Sequence, residues 1–156
     1  MNTSTHEIAK KIRQEFFVYR NGLLADNLRD AGDYHRMIFG LTLTQIQDIA
    51  KNIEPNEDVA CELWKSKDSR EARLIAPMLY PIDKFTENIA REWISQVENT
   101  EVSDNLCHKL LKRLHFASSL CCNLASGNEM ERYTAMRLAI NLIAIGKDIE
   151  ITKMQI

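Results

Sequence analysis

The run NEDVACELWKSKDSREARLIAPMLYPIDKFTENIAREWISQVENTEVSDNLCHKLLKRL, residues 56–114, decides the fold. Val59, Ala60, Leu63 and Trp64 recur at i, i+1, i+4 and i+5, the spacing that gathers apolar side chains on one face of an α-helix. Ala72, Ile75, Met78 and Leu79 repeat the pattern. So do Phe85, Ile89, Ala90, Trp93, Ile94 and Val97, and then Val102, Leu106, Leu110, Leu111 and Leu114. Four short amphipathic helices joined by a few residues each predict antiparallel neighbours, a helical-hairpin array. Trp64 and Trp93 lie on the apolar faces and are expected in the core.

Working outward toward the N-terminus, Pro55 stops a preceding helix and Asn56 caps the next. That preceding helix begins at Thr42-x-x-Gln45, the form of a capping box, and its buried face is Leu43, Ile46, Ile49 and Ala50. The loop DYHRMIFG lies before it, residues 33–40. A helix carrying Leu23, Leu24 and Leu28 runs to about Ala31, closed by Gly32-Asp33. Ser4 or Thr5 caps a first helix striped by Ile8, Ile12, Phe16 and Phe17, with Asn21-Gly22 ending it. On the C-terminal side, Phe116, Leu120 and Leu124 make a short helix ending at Ser126-Gly127. Asn128 caps a long last helix through Ile145, where Leu138, Ile140, Leu142 and Ile143 leave little room for a polar face. That end is expected to be buried or covered by a partner. Arg73-x-x-Ala76-x-x-Leu79 recurs as Arg132-x-x-Ala135-x-x-Leu138, a faint sign of stacked units.

Five glycines, three prolines and no alternating β-branched run leave no room for sheet, so the fold class is all-α. A length of 156 residues, 45% hydrophobic and 27% charged, fits one globular domain over residues 1–156. The longest charge-free apolar segment, LAINLIAIG (138–146), is far short of the roughly 20 residues that cross a bilayer. Lys10, Lys11 and Arg13 are not followed by an apolar leader segment, so a cytoplasmic protein is expected. Cys61, Cys107, Cys121 and Cys122 lack metal or disulfide spacing and read as reduced, mostly buried thiols. His6-Glu7 opens like a zinc-protease motif but Lys10 stands where the second histidine belongs. Asp104, His108 and His115 are loosely spaced and lack a fourth ligand, so no metal and no cofactor is expected. The formal net charge of −2 confines any DNA contact to a local basic patch.

ELWKSKDSREARLIAPML (62–79), the helix ending in Trp93 and VSDNLCHKLL (102–111) together resemble the DNA alkylation repair enzymes, the HEAT-like-repeat alkylpurine DNA glycosylases. FGLTLTQIQDIAKNI (39–53) and MERYTAMRLAI (130–140) match neighbouring segments of that family, so the similarity runs over roughly residues 38–145. The resemblance implies an α-α superhelix of antiparallel helix pairs, of HEAT-like or ARM type, whose concave face holds duplex DNA. It implies a carboxylate that stabilises the cationic sugar as an N3- or N7-alkylated purine departs and helps place the attacking water. Asp104 matches that aspartate. Arg132 is the nearest equivalent of an arginine that contacts the DNA backbone. The sequence departs from the family at Thr100, where a tryptophan packs on the sugar.

Each of these residues also has an ordinary reading. Asp104 lies in or near the first turn of its helix, where the macrodipole favours a carboxylate. His108, Lys109, Lys112 and Arg113, with His115 nearby, form a phosphate-contacting patch or a solvated helix face. Arg70, Glu71 and Arg73 read as inter-helix or solvent-facing pairs, and Tyr34, His35 and Arg36 as a groove border or a solvated turn. The function expected is duplex DNA binding with excision of alkylated purines. The alternative is a non-catalytic helical scaffold that holds a protein partner or forms a homo-oligomer.

Overall fold

The computed structural model describes residues 2–146, with side chains from Ser4 onward. Helices α1 (Asn2–Val18), α2 (Gly22–Asp30), α3 (Leu43–Lys51), α4 (Glu57–Lys65) and α5 (Arg70–Leu79) come first, followed by a 3-10 turn at Ile82–Lys84. Then come α6 (Glu87–Ser95), α7 (Thr100–Lys109), a second 3-10 turn at Leu111–Arg113, α8 (Ala117–Leu124) and α9 (Glu129–Ala144). Among the described residues there is no strand, only an isolated parallel bridge between Met37 and Ser69. The fold is all-α.

Side-chain caps set most helix starts. Asn21, Thr42, Asn56, Ser69, Thr86, Asn99 and Asn128 each accept a backbone N–H of the turn they open. Each cap of this kind contributes about 1 kcal/mol to its helix. Both expected signals at Thr42 and Asn128 hold, and Gln45 and Glu131 complete reciprocal capping boxes. Three expectations shift. Ser4 and Thr5 lie inside α1, which begins at Asn2, and Thr5 is buried there. Asn21 opens α2 and does not close α1. The helix expected through Leu114 stops at Lys109 and tightens into the 3-10 turn.

The chain divides into two compact units, Met1–Pro81 and Ile82–Ile156. In the first, α4 and α5 form an antiparallel hairpin whose open end is tied by the Asn56 N–H donating to the Leu79 carbonyl at 2.8 Å. The Tyr80 hydroxyl adds a bond to Glu57 Oε2 at 3.1 Å. Helices α1 and α3 pack on this hairpin, α1 on α4 and α3 on α5, with Ile12, Phe16, Ile46, Leu63 and Ile75 at the centre. Trp64 is in the core as expected, and the Arg73 guanidinium stacks 4.2 Å from its ring centre.

The loop before α3 is held by a carboxylate. Glu71 is wholly buried and accepts the backbone N–H groups of Phe39 and Gly40 at 3.0 Å and of Leu41 at 3.3 Å. Arg70 closes the arrangement through Nη1, 2.6 Å from Glu71 Oε2 and 3.0 Å from the Leu41 carbonyl. The expectation of solvent-facing or inter-helix pairs for Glu71 and Arg70 is therefore corrected: they organise a loop. His35 is buried in the same loop with Nδ1 2.6 Å from Asp33 Oδ1, while Tyr34 and Arg36 face solvent. Gly40 has φ +89, and a Cβ there would run into the Asn21 carbonyl oxygen, so both conformation and space require glycine.

In the second unit α9 packs against α7 and α8. Leu106, Leu110, Leu120, Leu138 and Leu142 fill the space between them. Trp93 is buried edge-to-face against Phe85, ring centres 5.2 Å apart. The expectation of deep burial for the end of α9 is half met. Leu138 and Leu142 are buried, but Met136, Ile140 and Ile143 are 40%, 49% and 55% exposed. The repeated Arg-x-x-Ala-x-x-Leu letters also part company here, since Arg73 is buried and Arg132 is exposed.

Candidate active site

Helix α7 carries the carboxylate singled out from the sequence. Asn99 occupies the cap, so Asp104 falls in the second turn and is not needed for capping. Its side chain turns instead to α9. Asp104 Oδ1 accepts the Tyr133 O–H at 2.7 Å and the Arg137 Nε–H at 3.1 Å. Tyr133 and Arg137 are one turn apart on α9, so both reach the same carboxylate.

Buried contacts one residue inward fix that register. Ser103 Oγ and Thr134 Oγ1 are 2.8 Å apart with both residues fully buried. The Cys107 thiol donates to the Thr134 carbonyl at 3.6 Å, and the Cys121 thiol on α8 donates to the Ala135 carbonyl at 3.1 Å. The inner face of α9 is therefore locked on two sides, and the Asp104 group stands at the rim. Its side chain is 40% exposed and that of Arg137 39%. At that exposure an ion pair adds little stability. What it adds is orientation.

Electrostatics follow the contacts. Burial, then the bond to Asp104, raises the Tyr133 phenol above its usual range, so it remains a proton donor. The bond to Tyr133 and the charge of Asp104 raise the Arg137 guanidinium further. Burial pushes the Cys107 and Cys121 thiols up, the latter to about 11, which makes them poor nucleophiles. No group of three or more His, Cys, Asp and Glu among the described residues is arranged to hold a metal ion.

The basic residues form a separate cluster on the same unit. Lys112 Nζ lies 3.0 Å from His108 Nδ1, and Arg113 Nη1 donates to the Lys109 carbonyl at 3.3 Å. Burial first, and then Lys112 and Lys109, lower the His108 pKa, which favours the neutral ring, whose Nδ1 accepts a hydrogen bond from the Lys112 ammonium. Burial and Lys112 also lower Lys109. Crowded cations of this kind gain from a neighbouring anion. His115 stands edge-to-face on Phe116 and takes no part in the cluster.

Arg132 is exposed and is not the arginine that meets Asp104. Arg137 is. Five residues carry the chain about 140° further round an α-helix, so the two arginines leave different flanks of α9. Tyr133 and Arg137 were both missed from the sequence although they lie within the segment MERYTAMRLAI. Their i, i+4 spacing is the one signal that could have marked them, and it needs the packing of α9 on α7 to acquire meaning.

No curated protein and no solved structure is significantly similar to the chain. A family model does match, and it covers residues 12–149, from the middle of α1 past the end of α9. That span includes Asp104, Tyr133 and Arg137 and most of the chain, and the protein belongs to the DNA alkylation repair enzyme family.

Proposed function

We propose that this protein binds duplex DNA and excises N3- or N7-alkylated purines, with Asp104 as the catalytic carboxylate. The observation that carries the reading is the half-exposed Asp104, held at the rim of the α7–α9 pair by a phenol and a guanidinium on one oxygen. An alkylated purine is already cationic, so the C1′–N bond breaks with its electron pair passing to the base, which leaves neutral. Positive charge then grows on the sugar, and a fixed carboxylate stabilises it more than it stabilises the ground state. Water bonds to C1′ and its proton passes to the carboxylate or to solvent.

Lys109, Lys112, Arg113 and Arg132 would neutralise phosphates, with His108 as a neutral hydrogen-bonding group. In this reading residues 1–156 work as one HEAT-like domain, in the cytoplasm, without cofactor or metal. The test is release of free base from a methylated duplex, run alongside binding to an abasic-site duplex over a salt series. The reading predicts base release and a binding constant that falls steeply with salt, as it does when several phosphates are neutralised. The absence of both base release and salt-dependent binding would overturn it.

One observation favours a second reading, a non-catalytic interaction module for a protein partner or a second copy. Met136, Ile140 and Ile143 form an exposed apolar stripe at i, i+4 and i+7 on α9. Capture of a defined protein through that stripe, with no DNA binding, would support this second reading over the first.

A further inference from the structure

We infer that Tyr133 is the positioning residue of the proposed site: its phenol O–H holds Asp104 Oδ1, so that the carboxylate meets the developing charge of the sugar with Oδ2. This rests on the glycosylase reading above and deepens it.

Three observations converge on the phenol. The first is where the bonds land. Two donors one turn apart on α9 share a single oxygen, at 2.7 Å from Tyr133 and 3.1 Å from Arg137, and among the described residues no hydrogen bond or ion pair engages Oδ2. An ionised carboxylate has about four acceptor positions, so capacity remains on the side that the donors leave open. The second is rigidity. Arg137 is a long side chain, 39% exposed and open to screening. Tyr133 has two rotatable bonds and a shorter contact, in the range of a charge-assisted O–H···O⁻ bond. Its backbone neighbour Thr134 is fixed to Ser103, the backbone neighbour of Asp104. The third is composition. Helix α7, TEVSDNLCHK, contains no Phe, Tyr or Trp, and the ring that touches Asp104 comes from α9.

The phenol suits the task chemically. Burial and the bond to Asp104 raise its pKa, which keeps it a neutral donor through neutral and mildly alkaline pH. It gives up no proton in the reaction: the electron pair of the breaking C1′–N bond leaves with the purine, and the proton of the added water goes to Oδ2 or to solvent. Pre-organisation of this sort lowers the barrier because the carboxylate need not reorient as charge develops.

The experiment compares the wild-type full chain with Tyr133→Phe, which keeps the ring and removes the O–H. Single-turnover release of N7-methylated purine from a methylated duplex is expected to fall roughly ten- to a hundredfold, the loss of one hydrogen bond to a charged group. Affinity for the same duplex should change less than about twofold, on the ground that only a transition-state interaction is removed. Incorporation of 3-fluorotyrosine at position 133, which keeps the donor, should restore the rate at neutral pH. An unchanged rate in Tyr133→Phe would overturn the inference while leaving the glycosylase reading intact. So would a joint loss of rate, affinity and thermal stability that the fluorinated residue fails to rescue, because Tyr133 would then be an architectural residue. Absence of base release by the wild type would overturn the glycosylase reading and this inference with it.

Discussion

The Ser103 hydroxyl meets that of Thr134 at 2.8 Å in the interior of the α7–α9 pair, one residue inward on both helices from the contact of Asp104 with Tyr133. Thr134 Oγ1 also reaches the Met130 carbonyl at 2.8 Å, and both contacts are satisfied together when its one hydrogen goes to Met130 and Ser103 donates to Thr134.

That asymmetry makes the two truncations unequal. Thr134→Val leaves the Ser103 O–H buried without its acceptor and is expected to cost about 2 kcal/mol, whereas Ser103→Ala leaves Thr134 satisfied and should cost about 1 kcal/mol. The double variant should cost less than the sum, since each residue forfeits the same bond. Urea denaturation of the three variants measures this, and additive losses would remove the pair from its proposed role in fixing the register.

Alkaline stability depends on two phenols. Burial first, and then bonds to Glu57 and Asp104 respectively, raise Tyr80 and Tyr133 above the usual 10.0. The folded state therefore holds these protons to higher pH than the unfolded chain does. The associated stability is complete below pH 10 and is lost as pH rises through the folded pKa values. Tyr133→Phe and Tyr80→Phe should each flatten the decline in unfolding free energy above pH 10, as measured by denaturant titrations at successive pH values. An undiminished slope in both variants would place the alkaline transition elsewhere.

Glu71 is predicted to be the most sensitive side chain of the first unit. It accepts three loop amides and is the nearer of two carboxylates beside the buried Arg70, the other being Asp33 with Oδ2 3.9 Å away, so Glu71→Ala removes the closer counter-charge and the acceptor of three N–H groups. Removal of one partner from a buried pair costs about 3 kcal/mol or more. Gly40→Ala should be damaging for a different reason, the positive φ and the close Asn21 carbonyl. Circular dichroism during urea unfolding reads both, and a loss below about 1 kcal/mol for Glu71→Ala would contradict the anchoring role.

Thiol labelling provides a check on the core. Cys107 and Cys121 are fully buried with raised pKa values, whereas Cys61 and Cys122 are partly exposed. Iodoacetamide at pH 8 should modify Cys61 and Cys122 well before the other two, as followed by peptide mass spectrometry. Early modification of Cys107 would mean that the α7–α9 seam opens readily.

Periodicity and caps made most of the fold legible before any coordinates. Thr42, Asn56 and Asn128 announce helix starts because an Asn or Thr side chain followed by helical apolar spacing has a single local meaning. Where competing local signals coexist, the sequence misleads. Asn21-Gly22 reads equally as a stop or a start, and only the chain path, with the Asn21 N–H bound to the Phe39 carbonyl, selects the start. Residues 33–41 were opaque because their order comes from Glu71, some thirty positions away. The candidate site was half legible. Asp104 is marked by its family resemblance, but its partners Tyr133 and Arg137 are set by the packing of α9 on α7, which no local pattern encodes.

The central claim is that Asp104 performs the chemistry, and Asp104→Asn tests it most directly, since the amide keeps the shape and removes the charge. Single-turnover base release from a methylated duplex is predicted to disappear in this variant, while its thermal midpoint and duplex affinity stay close to those of the wild type. Release at the wild-type rate by folded Asp104→Asn protein would contradict the account.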